Sequence, residues 1–158
     1  MIEMATKRYY IAYGSNLNIR QMKFRCPTAR VIGTAEVENY ELLFKGSMTG
    51  SYCTIEPKHG ASVPVGVWEV TAEDEKALDR YEGYPRLYYK AEIKLPIKGI
   101  KTGKIRTRTV FVYLMHESRP IGIPTAGYLY TCLDGYADFG FDKNVLLDAY
   151  FKTKETVS

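Results

Sequence analysis

The chain is poor in the residues that most readable chemistries need. Its two histidines, His59 and His116, lie far apart and away from any cysteine, so a zinc site has no ligand set to build on. The three cysteines, Cys26, Cys53 and Cys132, are an odd number at wide spacing. They read as reduced thiols in a packed interior, not as a disulfide framework. No serine sits in a Gly-x-Ser-x-Gly elbow, and no cysteine has a histidine close by in sequence. No stretch approaches the roughly 18 apolar residues of a membrane span, so no membrane partner is expected. Met1 to Arg8 lacks an apolar core followed by a small-residue cleavage site. The expectation is therefore a cytoplasmic protein. Repeats and low-complexity segments are missing too. With 46% apolar and 25% charged residues and a net charge of only +4, the 158 residues suit one folded domain with its own core and exclude disorder.

Tyrosine, by contrast, is abundant: 14 residues against six phenylalanines and one tryptophan. An apolar ring with a polar tip suits half-buried walls and pockets, although the outer edge of a β-rich core accounts for tyrosines equally well.

The order of elements is read as β-α-β-β-β-α-β-β-α-α. Tyr9–Tyr13 is a short aromatic strand ending at the reversal Gly14-Ser15-Asn16. A helix follows from about Asn18 to Arg25, capped by Asn18, with Gln21 placed to reach back, and stopped by Pro27. Strands are expected over 34–45, 51–56 and 63–70. Thr71-Ala-Glu-Asp74 opens a second helix that runs to about Tyr81 and is terminated by Gly83 and Pro85. Strands are expected at 88–95 and 106–115, with 96–105 a basic, protruding hairpin. A short helix over 124–133 closed by Gly135 and a last helix from Asp142 to about Lys154 complete the chain. Gly135-Tyr136-Ala137-Asp138-Phe139-Gly140 reads as loop-like, a segment that helps to gate a pocket or, equally well, a plain turn. This order is neither doubly wound nor all-β. It predicts an α+β fold with a sheet curled into a barrel.

Three places are candidates for chemistry. Tyr13-Gly14-Ser15-Asn16-Leu17 lies between a strand and a helix. Such a turn presents successive backbone N–H groups at the positive end of a helix and suits a carboxylate, a phosphate or an oxyanion. It lacks the length and the lysine of a phosphate-binding P-loop, and a plain turn has the same sequence. Glu82 stands at a helix C-terminus, where the dipole disfavours its charge, among Tyr81, Tyr84, Tyr88 and Tyr89. Both influences raise the pKa of a carboxyl toward that of a useful base at neutral pH. The plainer alternative is an exposed glutamate paired with Arg80 or Arg86. The third place is the run Lys94, Lys98, Lys101, Lys104, Arg106 and Arg108, which contains no acid. It lacks interleaved aromatics for base stacking, so it reads as a solvated hairpin and no nucleic-acid partner is expected.

Taken together, two motifs carry a resemblance. Tyr13-Gly14-Ser15-Asn16-Leu17 after a short strand, followed by Leu78-Asp79-Arg80-Tyr81-Glu82-Gly83-Tyr84-Pro85, resembles the gamma-glutamylcyclotransferase-like family. Pro64-Val65-Gly66-Val67-Trp68, Leu87-Tyr88-Tyr89-Lys90, Phe111–Met115 and the Pro124–Tyr128 element also have counterparts there. The likeness covers about residues 8–152, within a single domain. It implies a mixed, mostly antiparallel barrel with flanking helices. It also implies a cofactor-free, metal-free enzyme that releases 5-oxoproline from a small-molecule gamma-glutamyl substrate. In that reading Glu82 is the acid/base, and Tyr13, Gly14, Ser15, Asn16 and Leu17 line the gamma-glutamyl pocket. Tyr88 and Tyr128 add hydroxyl contacts. Segments 44–52 and 135–141 are the expected neighbours of the amine half. The alternative from another class is a non-catalytic module that captures a carboxylate-bearing metabolite in the same pocket. The sequence is compatible with a monomer and with a homodimer.

Overall fold

The computed structural model describes residues 7–47 and 50–157. Most of the N-terminal segment examined for a signal, and Met48 and Thr49 of the expected amine-half segment, lie outside the described residues. Five strands form a closed barrel in the order β1-β3-β2-β4-β5. They are β1 (Arg8–Ala12), β2 (Arg30–Lys45), β3 (Tyr52–Val70), β4 (Tyr88–Gly99) and β5 (Ile105–Met115). Neighbours are antiparallel except β1 and β5, which close the barrel in parallel through Tyr10 and Phe111. The helices are a 3-10 turn (Ser15–Leu17), α1 (Ile19–Arg25), α2 (Ala72–Glu82), α3 (Ala126–Phe139) and α4 (Lys143–Val157). The expected α+β barrel is what the chain forms.

Several boundaries differ from the sequence reading, among them the start of β2, which lies at Arg30. The two strands expected over 51–56 and 63–70 are one 19-residue strand, β3. The residues between them bulge opposite Asn39, where the register moves from Glu38–Ser62 to Tyr40–Pro57. Asn39 takes a positive φ of 62°, and its side chain accepts the Gly60 N–H at 3.0 Å, so the irregularity is absorbed without ending the strand. The hairpin between β4 and β5 is shorter than expected, because pairing continues out to Lys98–Ile105 and leaves 100–104 as its tip. Gly135 does not close a helix. It lies inside α3, which runs on to Phe139 and ends at Gly140.

Both faces of β3 are buried over residues 63–68. Val63, Val65 and Val67 are fully enclosed, and Trp68 packs edge-on against Phe139 of α3. Each enclosed valine contributes on the order of 1.5–3 kcal/mol of apolar burial, so the strand is held firmly. Leu78 of α2 and Leu146 of α4 join the same core, and all three cysteines are buried and unpaired.

α2 carries Glu82 as its last residue, and its start is fixed by a complete capping box. Thr71 Oγ1 accepts the Asp74 N–H at 3.2 Å, and Asp74 Oδ2 accepts the Thr71 N–H at 3.0 Å. Gly83 ends the helix in the left-handed region, as expected. Asn18 caps α1 through the Gln21 N–H at 3.0 Å. The Gln21 side chain does not reach back to complete that box; it faces Thr131 and Arg25 instead.

Candidate active site

The turn after β1 and the end of α2 meet over a cavity of about 230 Å³. Its wall includes Tyr13, Gly14, Ser15 and Asn16 from the turn, and Arg80, Tyr81, Glu82 and Gly83 from α2. Tyr10, Tyr52, Cys53, Leu87, Tyr88, Tyr113 and Tyr128 complete it. Of the residues expected from the resemblance to form the pocket, Leu17 does not line it, nor does any of 135–141; of the described residues of 44–52, Tyr52 does. The Leu17 side chain is fully buried, and its N–H is used within the turn, donating to the Gly14 carbonyl at 3.1 Å. The N–H groups of Ser15 and Asn16 begin the 3-10 turn and find no acceptor inside it.

Asn16 organises the turn. Its carbonyl accepts the buried Trp68 indole N–H at 3.0 Å. Its Nδ2 donates to Tyr10 Oη at 2.9 Å and to Glu82 Oε1 at 3.3 Å. Its Oδ1 accepts from the Arg25 guanidinium. The next residue back, Ser15, shares a 2.8 Å hydrogen bond with Tyr81 Oη, and Arg25 lies 3.3 Å above the Tyr81 ring. From outside, α3 presses on the same turn. A Cβ on Gly135 would come within 2.7 Å of Asn18 N and of the Leu17 carbonyl carbon, so only glycine allows this approach. Gly14 is equally confined, with space for a Cβ closed by Cys53 at 2.9 Å.

The Glu82 carboxyl is raised from its usual range to about 8. Desolvation by burial is the main cause, partly offset by the positive charge of Arg25. Its bond goes to Asn16, not to Arg80 or Arg86. The tyrosines around it are Tyr10, Tyr13, Tyr81 and Tyr88. Tyr84 and Tyr89, expected beside it, face elsewhere: Tyr84 packs on Tyr113 and under Lys90, and Tyr89 on His116. Burial, reinforced by the charge of Glu82, holds the Tyr10 and Tyr13 hydroxyls protonated.

Two of these hydroxyls are already committed. Tyr13 donates to the Tyr113 carbonyl at 2.6 Å and Tyr88 to the Cys53 carbonyl at 2.6 Å. Tyr128 Oη accepts the Cys53 N–H at 3.0 Å, so Tyr88 and Tyr128 clamp the two backbone groups of one residue. Burial pushes the Cys26 thiol up to about 12 and Cys132 well above its ordinary value, so neither of these two is a nucleophile of low pKa. Sequence reasoning missed Arg25, Tyr10, Cys53 and Tyr113. The first of these carries a legible signal, a cation at the end of a short helix that starts just after the turn. Tyr10 lies on β1 just ahead of the turn, and Cys53 and Tyr113 come from distant strands.

The arrangement is a small pocket walled by the turn after β1 and by the end of α2, with a protonatable carboxyl in its lining. The gamma-glutamyl cyclotransferase, AIG2-like family model matches residues 10–130. Gamma-glutamylcyclotransferases of Homo sapiens and Mus musculus are each 30% identical over 119 residues, covering 70% of this chain and 62% of theirs. The match thus spans less than two thirds of the length of these curated relatives. Among solved structures, a gamma-glutamyl cyclotransferase superposes with a TM-score of 0.75 at 25% identity, over 94% of this chain and 87% of the other. An uncharacterized protein from Homo sapiens superposes at 0.74 with 27% identity, over 94% and 86%. On the strength of the family match over most of its length, together with the shared barrel, the chain belongs to the gamma-glutamyl cyclotransferase, AIG2-like family.

Proposed function

We propose that the protein is a cofactor-independent gamma-glutamyl cyclotransferase with Glu82 as its acid/base. The observation that carries this reading is the carboxyl of Glu82, raised to about 8 and bonded to Asn16 of the turn that lines the same cavity. The substrate's α-amino nitrogen attacks its own γ-amide carbonyl and closes a five-membered ring. Because the nucleophile is part of the substrate, the enzyme has to hold the folded-back conformer, not supply a nucleophile. Glu82 takes the proton from the attacking amine as the new C–N bond forms. It returns that proton to the leaving amine as the old C–N bond breaks, and 5-oxoproline results.

The oxyanion of the tetrahedral intermediate and the substrate α-carboxylate both need donors, and the N–H groups of Gly14, Ser15 and Asn16 are the candidates. A single oxyanion donor is typically worth about 3 kcal/mol of barrier. Leu17 supports the turn from behind. Tyr13 and Tyr88, their protons committed to carbonyls, serve as walls that keep out the water that would hydrolyse the amide. Tyr128 acts with Tyr88 by fixing Cys53, which borders the pocket. The cavity is smaller than the usual range of sites for drug-sized ligands, as suits one glutamyl group with its amine at the mouth. Three buried, unpaired thiols fit the cytoplasmic location expected from the sequence.

Mass-spectrometric detection of 5-oxoproline tests the reading, using purified protein and a panel of gamma-glutamyl amides with varied amine halves. Release from at least one is expected. Stabilisation of the protein by these compounds with no product from any of them would favour the binding-module alternative.

A further inference from the structure

Glu82 is faced from several elements. Tyr10 lies on β1, Tyr13 and Asn16 on the turn, Arg25 on α1, Tyr88 on β4, and Tyr81 on α2 itself. Tyr10, Tyr13, Tyr81 and Tyr88 are held protonated, and Asn16 is neutral. Arg25 is therefore the cation acting on Glu82 among the described residues.

Its geometry is specific. A cation at the last residue of α1 would complement that helix simply by lying in solvent. The guanidinium turns inward instead. It stacks 3.3 Å above the Tyr81 ring, donates to Asn16 Oδ1, and donates through its other terminal nitrogen to Gln21 Oε1 at 3.2 Å. An asparagine amide has one acceptor end and one donor end. Once Arg25 occupies the oxygen of Asn16, the NH₂ group must face Tyr10 and Glu82, as it does. The reversed amide would set its oxygen against the carboxylate and its N–H groups against a guanidinium.

We propose that Arg25 is a positioning residue for the acid/base: it locks the Asn16 amide so that an N–H points at Glu82, and it supplies the positive charge that the carboxylate faces. The inference rests on the cyclotransferase reading for its catalytic meaning but not for its geometry. Arg25 also ties three elements together, since α1, the turn and the end of α2 all meet at its guanidinium. It does not line the cavity and is not required to touch the substrate.

The test is a carbon-13 NMR titration of the Glu82 side-chain carboxyl in the full-length protein, its signal identified by its loss in Glu82→Gln. Arg25→Met and Arg25→Gln, two neutral replacements of different polarity, are compared with Arg25→Lys. Both neutral variants should move the Glu82 midpoint upward by about one pH unit, and Arg25→Lys should return most of that shift. The rising limb of kcat/KM should move with the midpoint, giving a loss of about tenfold at pH 7 with KM at alkaline pH little altered. An unmoved midpoint in either folded neutral variant would overturn the inference, as would an equal displacement in Arg25→Lys. The titration reads the carboxyl directly. If it behaves as described while no gamma-glutamyl amide is turned over, the positioning role stands and the cyclotransferase reading falls.

Discussion

Glu82 is placed where a carboxylate is costly. It ends a helix, so the dipole opposes its charge, and burial raises its pKa from an ordinary 4.5 to about 8. The sign of the effect on stability follows. The fold favours the protonated carboxyl, so its contribution is fully present below about pH 4.5 and is lost as pH climbs through about 8. Glu82→Gln removes that loss. Thermal scans should therefore show the variant gaining on wild type between about pH 5 and pH 8.5, with the difference levelling off above. A difference that stays constant with pH would mean the carboxyl is not raised. The same raised value predicts that kcat/KM for the wild type rises with pH through about 8, as the free enzyme yields its base. Glu82 and the Tyr13–Leu17 turn could be singled out in the sequence because each is a contiguous motif and the family resemblance links the two, and the structure brings Glu82 and Tyr13–Asn16 to one cavity. Arg25 and Tyr10 were not, since their meeting with Asn16 exists only once α1 and β1 have packed.

At the scale of elements, the site depends on how α2 and α3 are held. The capping box of α2 was legible from Thr71 and Asp74 because it is a local pattern, and it sits at the far end of the helix from Glu82. Thr71→Ala should therefore cost about 1 kcal/mol in urea unfolding while leaving turnover nearly unchanged. Gly135 was misread as a helix stop, because glycine more often ends a helix than sits inside one. Its real constraint is tertiary, the contact with Leu17 and Asn18, which no local pattern reveals. Two effects then compete in Gly135→Ala. Better helix propensity would stabilise α3 by about 1 kcal/mol, but a methyl forced against rigid backbone costs about 1–3 kcal/mol. The neighbours are main-chain atoms of the turn, so the second should win. The variant is expected to be less stable and to lose activity as the turn is displaced, both measurable on one preparation by urea titration and product assay.

For the whole molecule, the barrel brings the turn after β1 and the helix after β3 together. β1 ends at the turn, β3 leads into α2, and these strands are adjacent in the barrel. The α+β class and the barrel were legible from the order of elements and from the family likeness, whereas the pairing order and the length of β3 were not. Pro57-Lys58-His59-Gly60 falls between two expected strands in the sequence reading, yet β2 supplies enough pairing on both sides to carry one strand through it. In the proposed cofactor-independent reaction the substrate brings its own nucleophile and no metal is required, so turnover should survive prolonged treatment with a strong chelator, read as an unchanged initial rate. The central claim is that one carboxyl runs the reaction. The most direct measurement is the rate of 5-oxoproline release by wild type and Glu82→Gln at equal concentration, on the best gamma-glutamyl amide of the panel. The account predicts release by wild type and a loss of at least about 100-fold in a variant that keeps its fold. Release at the wild-type rate by Glu82→Gln would contradict it.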